Sequence, residues 1–421
     1  RKLDNLTMIL DLNNLQIDGH VTDVCSLGDI EAKLAAFGWN VQVIDGHDVR
    51  AVRLALGKAK GVHGPPQAIV CTPVTGKGVS FMEGTGPHPA MTRQWRRSPS
   101  STPSELASRR RPTMAKRATR EAYGETLVEL VNEGMNIVAV DADLAGSTKT
   151  GVLGKAYPDR LVDVGIAEQD MMDVAAGLSL TGRIAFTGSF AVFGTGRCYD
   201  QIRNTVCDSN LNVKVCPTHA GITVGEDGAT HQSLEDVGMM RMLPNMRVLV
   251  PADYRAAKAA IRIAAETPGP FYVRMGRHPV PEVYDADSDF ALGKAKVLRE
   301  GTDVSLLACG VEVAQALAAA DQLAEKGISA EVVDVFSVKP LDEDAILATA
   351  TKTGRVVTCE EHMVWGGMGS AVAELLASKL PTPMRFVGMR SFGTSAPGDV
   401  LLHHFGLDAE GIAEQVEDLL A

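Results

Sequence analysis

The 421-residue sequence predicts an α/β fold of three doubly wound α/β domains, and three observations carry that expectation. Short apolar runs alternate with helical stretches along most of the chain, the order that builds parallel sheets. The alternation breaks over residues 85–113. It resumes at Met114 and runs to the C-terminus, with a further boundary near 287. The expected layout is therefore an α/β unit at 1–84, an atypical linker at 85–113, a second unit at 114–287 and a third at 288–421.

In the first unit, LTMILDL (6–12), VQVIDG (41–46) and QAIVCTPV (67–74) read as buried strands. IEAKLAAFG (30–38) reads as an amphipathic helix stopped by Gly38. The linker holds six Arg, five Pro, five Ser and a single acidic residue, Glu105, with no sustained apolar period. It reads either as a flexible linker or as an out-of-frame stretch joining two genes, with Met114 as a former start. In the second unit, ATREAYGETLVELVNEG (118–134) is helical, and NIVAVDADL (136–144), RLVDVG, RIAFTG, NVKVCPT and RVLVPA are strand candidates. In the third they are DVSLLAC, SAEVVDVF, RVVTCEE and MRFVGM.

A net charge of −11 argues against nucleic acid or an anionic membrane as the main partner, although local Arg and His can still hold a phosphate. No apolar run approaches 18 residues, so no membrane span is expected, and no signal peptide is visible. Seven scattered cysteines without a C-x-x-C pair read as reduced core thiols of a cytoplasmic protein. The chain begins at Arg1, which predicts a truncated N-terminus.

Three segments carry candidate chemistry. DLNNLQIDG (11–19) follows a strand, where α/β folds bind ligands, and offers neutral oxygens suited to Mg²⁺; it equally reads as an Asn-rich turn. VDVGIAEQDMM (162–172) sets Glu168 between apolar segments, either as a helix cap or as a buried proton donor of raised pKa. THAGITVGEDGATHQSLED, beginning at Thr218, packs His219, Glu226, Asp227 and His231 into a Gly-rich loop that favours function over a plain surface turn. Phe190 and Phe193 read as core or as a stacking platform. Arg274 in FYVRMGRHP reads as a surface charge unless it meets a phosphate, and the Gly-rich turn CEEHMVWGGMGSAVAE (359–374) as close packing or an anion site.

Taken together, LDNLTMILDLNNLQIDG, AFGWNVQVIDGHD, TGKGVSFMEG, DADLAGSTKT, GIAEQDMM, GEDGATHQSLEDVGMMRMLPNMRVLVPAD and EEHMVWGGMGSAV resemble the transketolase family, most closely its form split into N-terminal and C-terminal subunits. The resemblance spans 3–84 and 114–421. It implies thiamine diphosphate and Mg as cofactors, and transfer of a two-carbon ketol unit from a ketose phosphate to an aldose phosphate. It implies that residues 1–84 are the C-terminal part of the diphosphate-binding domain, 114–287 the pyrimidine-binding domain and 288–421 the C-terminal domain. Glu168 would hydrogen-bond the aminopyrimidine ring and His231 would share in catalysis. Phe190 and Phe193 would pack around that ring, and Asn13 with the Leu15 carbonyl would bind the metal. Arg120, Ser147, His219, Asp227, His231 and Arg274 would bind substrate, with Arg120, Ser147, His219 and Arg274 converging on one phosphate. The implied assembly is a homodimer or a complex with a complementary subunit.

The sequence departs from the family in three places. The Gly-Asp-Gly motif whose Asp binds magnesium is absent, Gly196 stands where many members have Tyr, and TGPHP with His88 replaces Trp-His-Gly after FMEG. Weak cofactor binding and little turnover by the isolated chain are expected from the first. Other readings are a 1-deoxyxylulose-5-phosphate synthase-like or 2-oxo-acid dehydrogenase β-like enzyme, or an inactive truncated product acting as an assembly partner.

Overall fold

The structure, a computed structural model, describes residues 3–16, 19–80, 82–84 and 116–421. The expected linker, 85–113, lies outside the described residues. Contacts divide the chain into two compact units, 1–109 and 110–421.

In the first unit, β1 (Thr7–Asp11), β2 (Asn40–Ile44) and β3 (Gln67–Cys71) form a parallel sheet of order β1-β3-β2. Helices Ile30–Ala36 and Val49–Gly61 connect them. Each starts on an aspartate: Asp29 Oδ1 accepts from Ala32 N at 2.9 Å and Asp48 Oδ1 from Arg50 N at 2.8 Å, which satisfies N–H groups that the first turn leaves open. The central strand is buried throughout, while β1 alternates between exposed and half-buried residues.

In the second unit, β4 (Lys116–Ala118) pairs antiparallel with β11 (Pro279–Pro281). Strands β5 (Ile137–Asp141), β6 (Leu161–Asp163), β7 (Ile184–Gly188), β8 (Val213–Val215), β9 (Arg247–Leu249) and β10 (Phe271–Val273) are parallel neighbours in one sheet, which with β15 (Ser337–Lys339) at its edge has the order β15-β9-β10-β8-β7-β5-β6. β12 (Lys296–Arg299), β13 (Val304–Ala308), β14 (Ala330–Asp334), β16 (Val356–Met363) and β17 (Met384–Met389) form the other sheet, parallel except for β12.

Strand β15 (Ser337–Lys339) lies beyond the expected boundary at 287, yet it pairs antiparallel with β9 and so belongs to the first of these sheets. One apolar core runs from Leu127, Phe186 and Ile261 through Val304, Leu306 and Val416. The two α/β layers thus bury a common surface, which makes 110–421 one unit. Apart from Asp141, Ser305, Glu331 and Asp334, the fully buried β5, β13 and β14 are apolar, because helices cover both faces of a parallel sheet. Among the described residues no helix is long and apolar enough to cross a membrane.

Candidate active site

The candidate residues of the second unit follow the carboxyl ends of β5, β6, β7, β8 and β10, where adjacent parallel strands open a crevice, except Arg120, which lies at the start of the helix after β4. The segments after β7 and β8 stay in register: Thr218 N donates to Ser189 O at 3.0 Å and Ala191 N to Thr218 O at 2.7 Å. That holds Phe190 beside His219, their rings stacked at 3.8 Å and 24°. Phe193 lies 6.2 Å from Phe190, and His231 meets the edge of Phe193 at 5.3 Å. The Nδ1 of His231 is engaged by Thr230 Oγ1 at 2.9 Å, which leaves Nε2 for a ligand.

Glu168 opens helix Glu168–Ser179 and is 3 % exposed. It is not a lone carboxylate. Both of its oxygens accept from Arg197 Nη1 at 3.0 Å. Arg197 closes the π-helical stretch Val192–Arg197, and its guanidinium lies over the face of Phe193, 4.3 Å from the ring centre. Glu168, Arg197, Phe193, Phe190, His231 and His219 therefore form one continuous surface. Sequence reasoning passed over Arg197. Wider turns of this kind accompany functional sites, but a π-helical turn leaves no periodic signature by which to find it.

A cationic cluster adjoins that surface. Gly124 has no side chain to block the Lys149 carbonyl, which would lie 2.1 Å from a Cβ there, so helix Thr119–Asn132 can approach the loop after β5. Arg120, at the start of that helix, then donates from Nη1 to Ser147 O at 3.0 Å and to His219 Nε2 at 3.1 Å. Because Arg has no acceptor, His219 Nε2 must accept. The ring then carries its proton on Nδ1 and donates it to Thr218 Oγ1 at 2.7 Å. Burial, with Arg120, Arg277, His231 and Lys149 nearby, pushes the His219 pKa down to about 2, so the imidazole is neutral. His219 and Lys149 both adopt left-handed backbone, with φ of 60° and 79°, a strain that clusters at sites. Arg120 Nε is buried without a partner. A buried, unsatisfied donor facing like charges suits an anion.

Arg274 is a correction. It does not join Arg120, Ser147 and His219. It is 7 % exposed, donating from Nε to Asp236 Oδ2 at 2.7 Å and from Nη2 to the Glu361 carbonyl at 2.8 Å, with Glu361 Oε2 3.5 Å from Nη1. Its charge is committed to an internal ion cluster. The arginine that reaches the cationic site is Arg277, three residues later, which pairs with Asp227 at 3.0 Å and Glu226 at 2.9 Å and lowers the pKa of both Arg120 and His219. The same motif carried both arginines, and sequence could not say which one turned outward.

In the Gly-rich turn into helix Met368–Lys379, Glu360 accepts from Met368 N at 2.7 Å and Gly369 N at 2.9 Å, so the chain's own carboxylate fills the anion position. The geometry there is close packing, the other reading that the sequence allowed.

The surface fits a flat heteroaromatic ring: Phe193 and Phe190 offer apolar faces, and Glu168 at their rim offers a carboxylate to ring N–H groups. The metal loop fits less well. Of the two expected ligands, Asn13 Oδ1 already accepts from Leu15 N at 2.9 Å, and the other is the Leu15 carbonyl. Two neutral oxygens do not make a Mg²⁺ site, which needs near-octahedral oxygen coordination. Among the described residues the one group of three metal-ligating side chains is His403, Asp408 and Glu410, in the last sheet's helices.

Fold and site together define a doubly wound α/β protein with an aromatic surface edged by a carboxylate and a cationic cluster beside it. Family models match throughout: the transketolase thiamine diphosphate binding domain at 1–92, the transketolase pyrimidine binding domain at 115–282 and the transketolase C-terminal domain at 293–412. A 6-deoxy-6-sulfo-D-fructose transketolase subunit of Clostridium sp. is 44 % identical over 301 residues, 71 % of this chain and 94 % of that protein. Human transketolase is 32 % identical over 452 residues, 100 % of this chain and 72 % of its own length. A solved split gene transketolase, described as an inactive beta4 tetramer, superposes with a TM-score of 0.67 at 48 % identity, covering 72 % of this chain and 98 % of that one. The chain belongs to the transketolase family of thiamine-diphosphate enzymes.

Proposed function

We propose that the chain serves transfer of a two-carbon ketol unit from a ketose phosphate to an aldose phosphate, as the pyrimidine-binding and C-terminal half of a transketolase. The observation that carries this reading is the junction of two sites through one stacked pair. Phe190 joins the Phe193–Glu168 surface to His219, and His219 joins it to Arg120. A cofactor ring and a substrate phosphate would thus be held a fixed distance apart.

When bound, thiamine diphosphate supplies the nucleophilic carbon and the electron sink that ketol transfer requires. Glu168 would hold the pyrimidine edge, its carboxylate serving as the proton acceptor or donor there. Phe190 and Phe193 exclude water from that ring. His231 presents Nε2 to a substrate hydroxyl and moves its proton. Neutral His219 accepts from Arg120 and so orients its guanidinium without adding charge. Arg120, Lys149 and Arg277 bind the phosphate, with Ser147 and Asp227 at the same mouth.

Asn13 and Leu15 remain candidates for the metal, but they need further oxygens. We therefore propose that the 421 residues alone bind cofactor weakly and turn over slowly. An N-terminal transketolase subunit that supplies a carboxylate ligand restores both. The inactive form of the solved split gene relative agrees with this.

The test is Glu168→Gln in the assembled enzyme. The amide cannot share the proton, so kcat should fall about 100-fold or more with the melting temperature little changed. Unchanged turnover removes Glu168 from the mechanism.

A further inference from the structure

Arg197 presents a flat, N–H-bearing group to Glu168 while lying against the face of Phe193. These are the contacts that the preceding reading assigns to the pyrimidine ring: a planar donor, an aromatic wall behind it and a carboxylate at its edge. We propose that Arg197 is a latch that imitates the cofactor ring. It keeps the buried carboxylate paired while the site is empty, and it must leave for the ring to enter. The inference rests on the assignment of Glu168 and Phe193 to the ring.

The two partners differ in their surroundings. Glu168 is 3 % exposed and Arg197 48 %, so the arginine closes the carboxylate off from water while it can itself swing into solvent. A guanidinium is weakly hydrated and stacks readily, which suits it to occupy the slot. Its backbone is tethered: the Arg197 carbonyl accepts from Gln169 Nε2 at 3.1 Å, one residue beyond Glu168. Cys198, which follows, leaves helical geometry at φ −113° and ψ 25°. A bare carboxylate so deeply buried would be costly, hence a resident counter-ion. The consequence is a reduced apparent affinity, because the ring binds only the fraction of molecules whose latch is open.

The test uses the full chain and thiamine, which carries the pyrimidine ring but no diphosphate, so that the metal loop plays no part. Binding is followed by NMR titration. Arg197→Met should bind thiamine about tenfold more tightly than the parent chain. Its melting temperature should be lower without thiamine and rise more when thiamine is added. Glu168→Gln should weaken binding, and adding Arg197→Met to Glu168→Gln should bring no gain, because the arginine then has no carboxylate to hold. Equal or weaker binding by Arg197→Met, including no binding in either chain, overturns the latch. A tenfold gain that persists in the Glu168→Gln background also overturns it, since Arg197 would then act by bulk alone. If Glu168→Gln binds like the parent chain, the assignment of Glu168 to the ring fails, whatever Arg197 does.

Discussion

Two arginines three residues apart do different work. Arg274 is fully enclosed with Asp236 and Glu361, and removing one partner of such a pair strands the others. Arg274→Met is expected to cost about 3–5 kcal/mol, read as a lowered midpoint in urea denaturation. Arg277 is partly exposed, and its ion pairs to Glu226 and Asp227 contribute little to stability. Arg277→Ala should leave the denaturation midpoint nearly unchanged and raise KM for phosphorylated sugars about tenfold in the assembled enzyme, the loss of one charge-assisted contact. If Arg274→Met raises KM without loss of stability, the exchange of roles between the two is wrong. Sequence identified the motif and the residue type. It could not choose between the pair, because the direction of each side chain depends on where β10 lies against Glu361, 87 residues away.

At the scale of the element, β8 contains an unusual strand residue, Lys214. Its Nζ is buried, donating to the Thr267 carbonyl at 2.9 Å and the Gly269 carbonyl at 2.6 Å, with no carboxylate bonded to it among the described residues. Burial pushes its pKa down to about 7, and Arg247 adds to the effect. In the unfolded chain Lys titrates near 10.4, so between about pH 7 and 10 the unfolded state binds more protons. Stability therefore rises with pH across that window through this group, and its full cost is present below pH 7. Lys214→Met should flatten the rise by up to about 1.4 kcal/mol per pH unit, measured as the difference between the two chains' denaturation curves from pH 7 to 9.5. Parallel profiles would show that the two carbonyls offset the burial. The apolar run NVKVCPT identified this strand correctly. A lysine inside it reads as an outward-facing residue, because period-two alternation cannot reveal that both faces of the sheet are covered.

At the scale of the whole molecule, residues 110–421 act as one unit. Leu127, Phe186 and Ile261 belong to the same core as Leu306, Val332 and Val416, and β15 crosses from the last third of the chain into the first sheet of the unit. Residues 116–287 expressed alone should thus lose an edge strand and expose much of a shared core. They should aggregate or lack a cooperative melt, whereas 116–421 should unfold in one transition by calorimetry. Two independent transitions in 116–421 would show that the shared core does not couple the two sheets. The three-strand sheet of the first unit stands on a much smaller core, Ala55, Ile69 and Cys71 with Ile44.

Sequence alone determined the α/β class, the order of nearly every strand named from it and the family. It also marked out Glu168, Phe190, Phe193, His219 and His231, which the structure brings to one surface. These follow from local causes: apolar periodicity, glycine and aspartate at helix ends, and polar loops that interrupt apolar strands. The tertiary structure alone decided that Arg197 covers Glu168, that Arg277 and not Arg274 reaches Arg120, and that β15 stitches the two sheets together. Each of these is a through-space pairing across 29 to 157 positions of chain. Ion-pair energy depends on distance and burial, and neither is encoded in the spacing of residues along the chain.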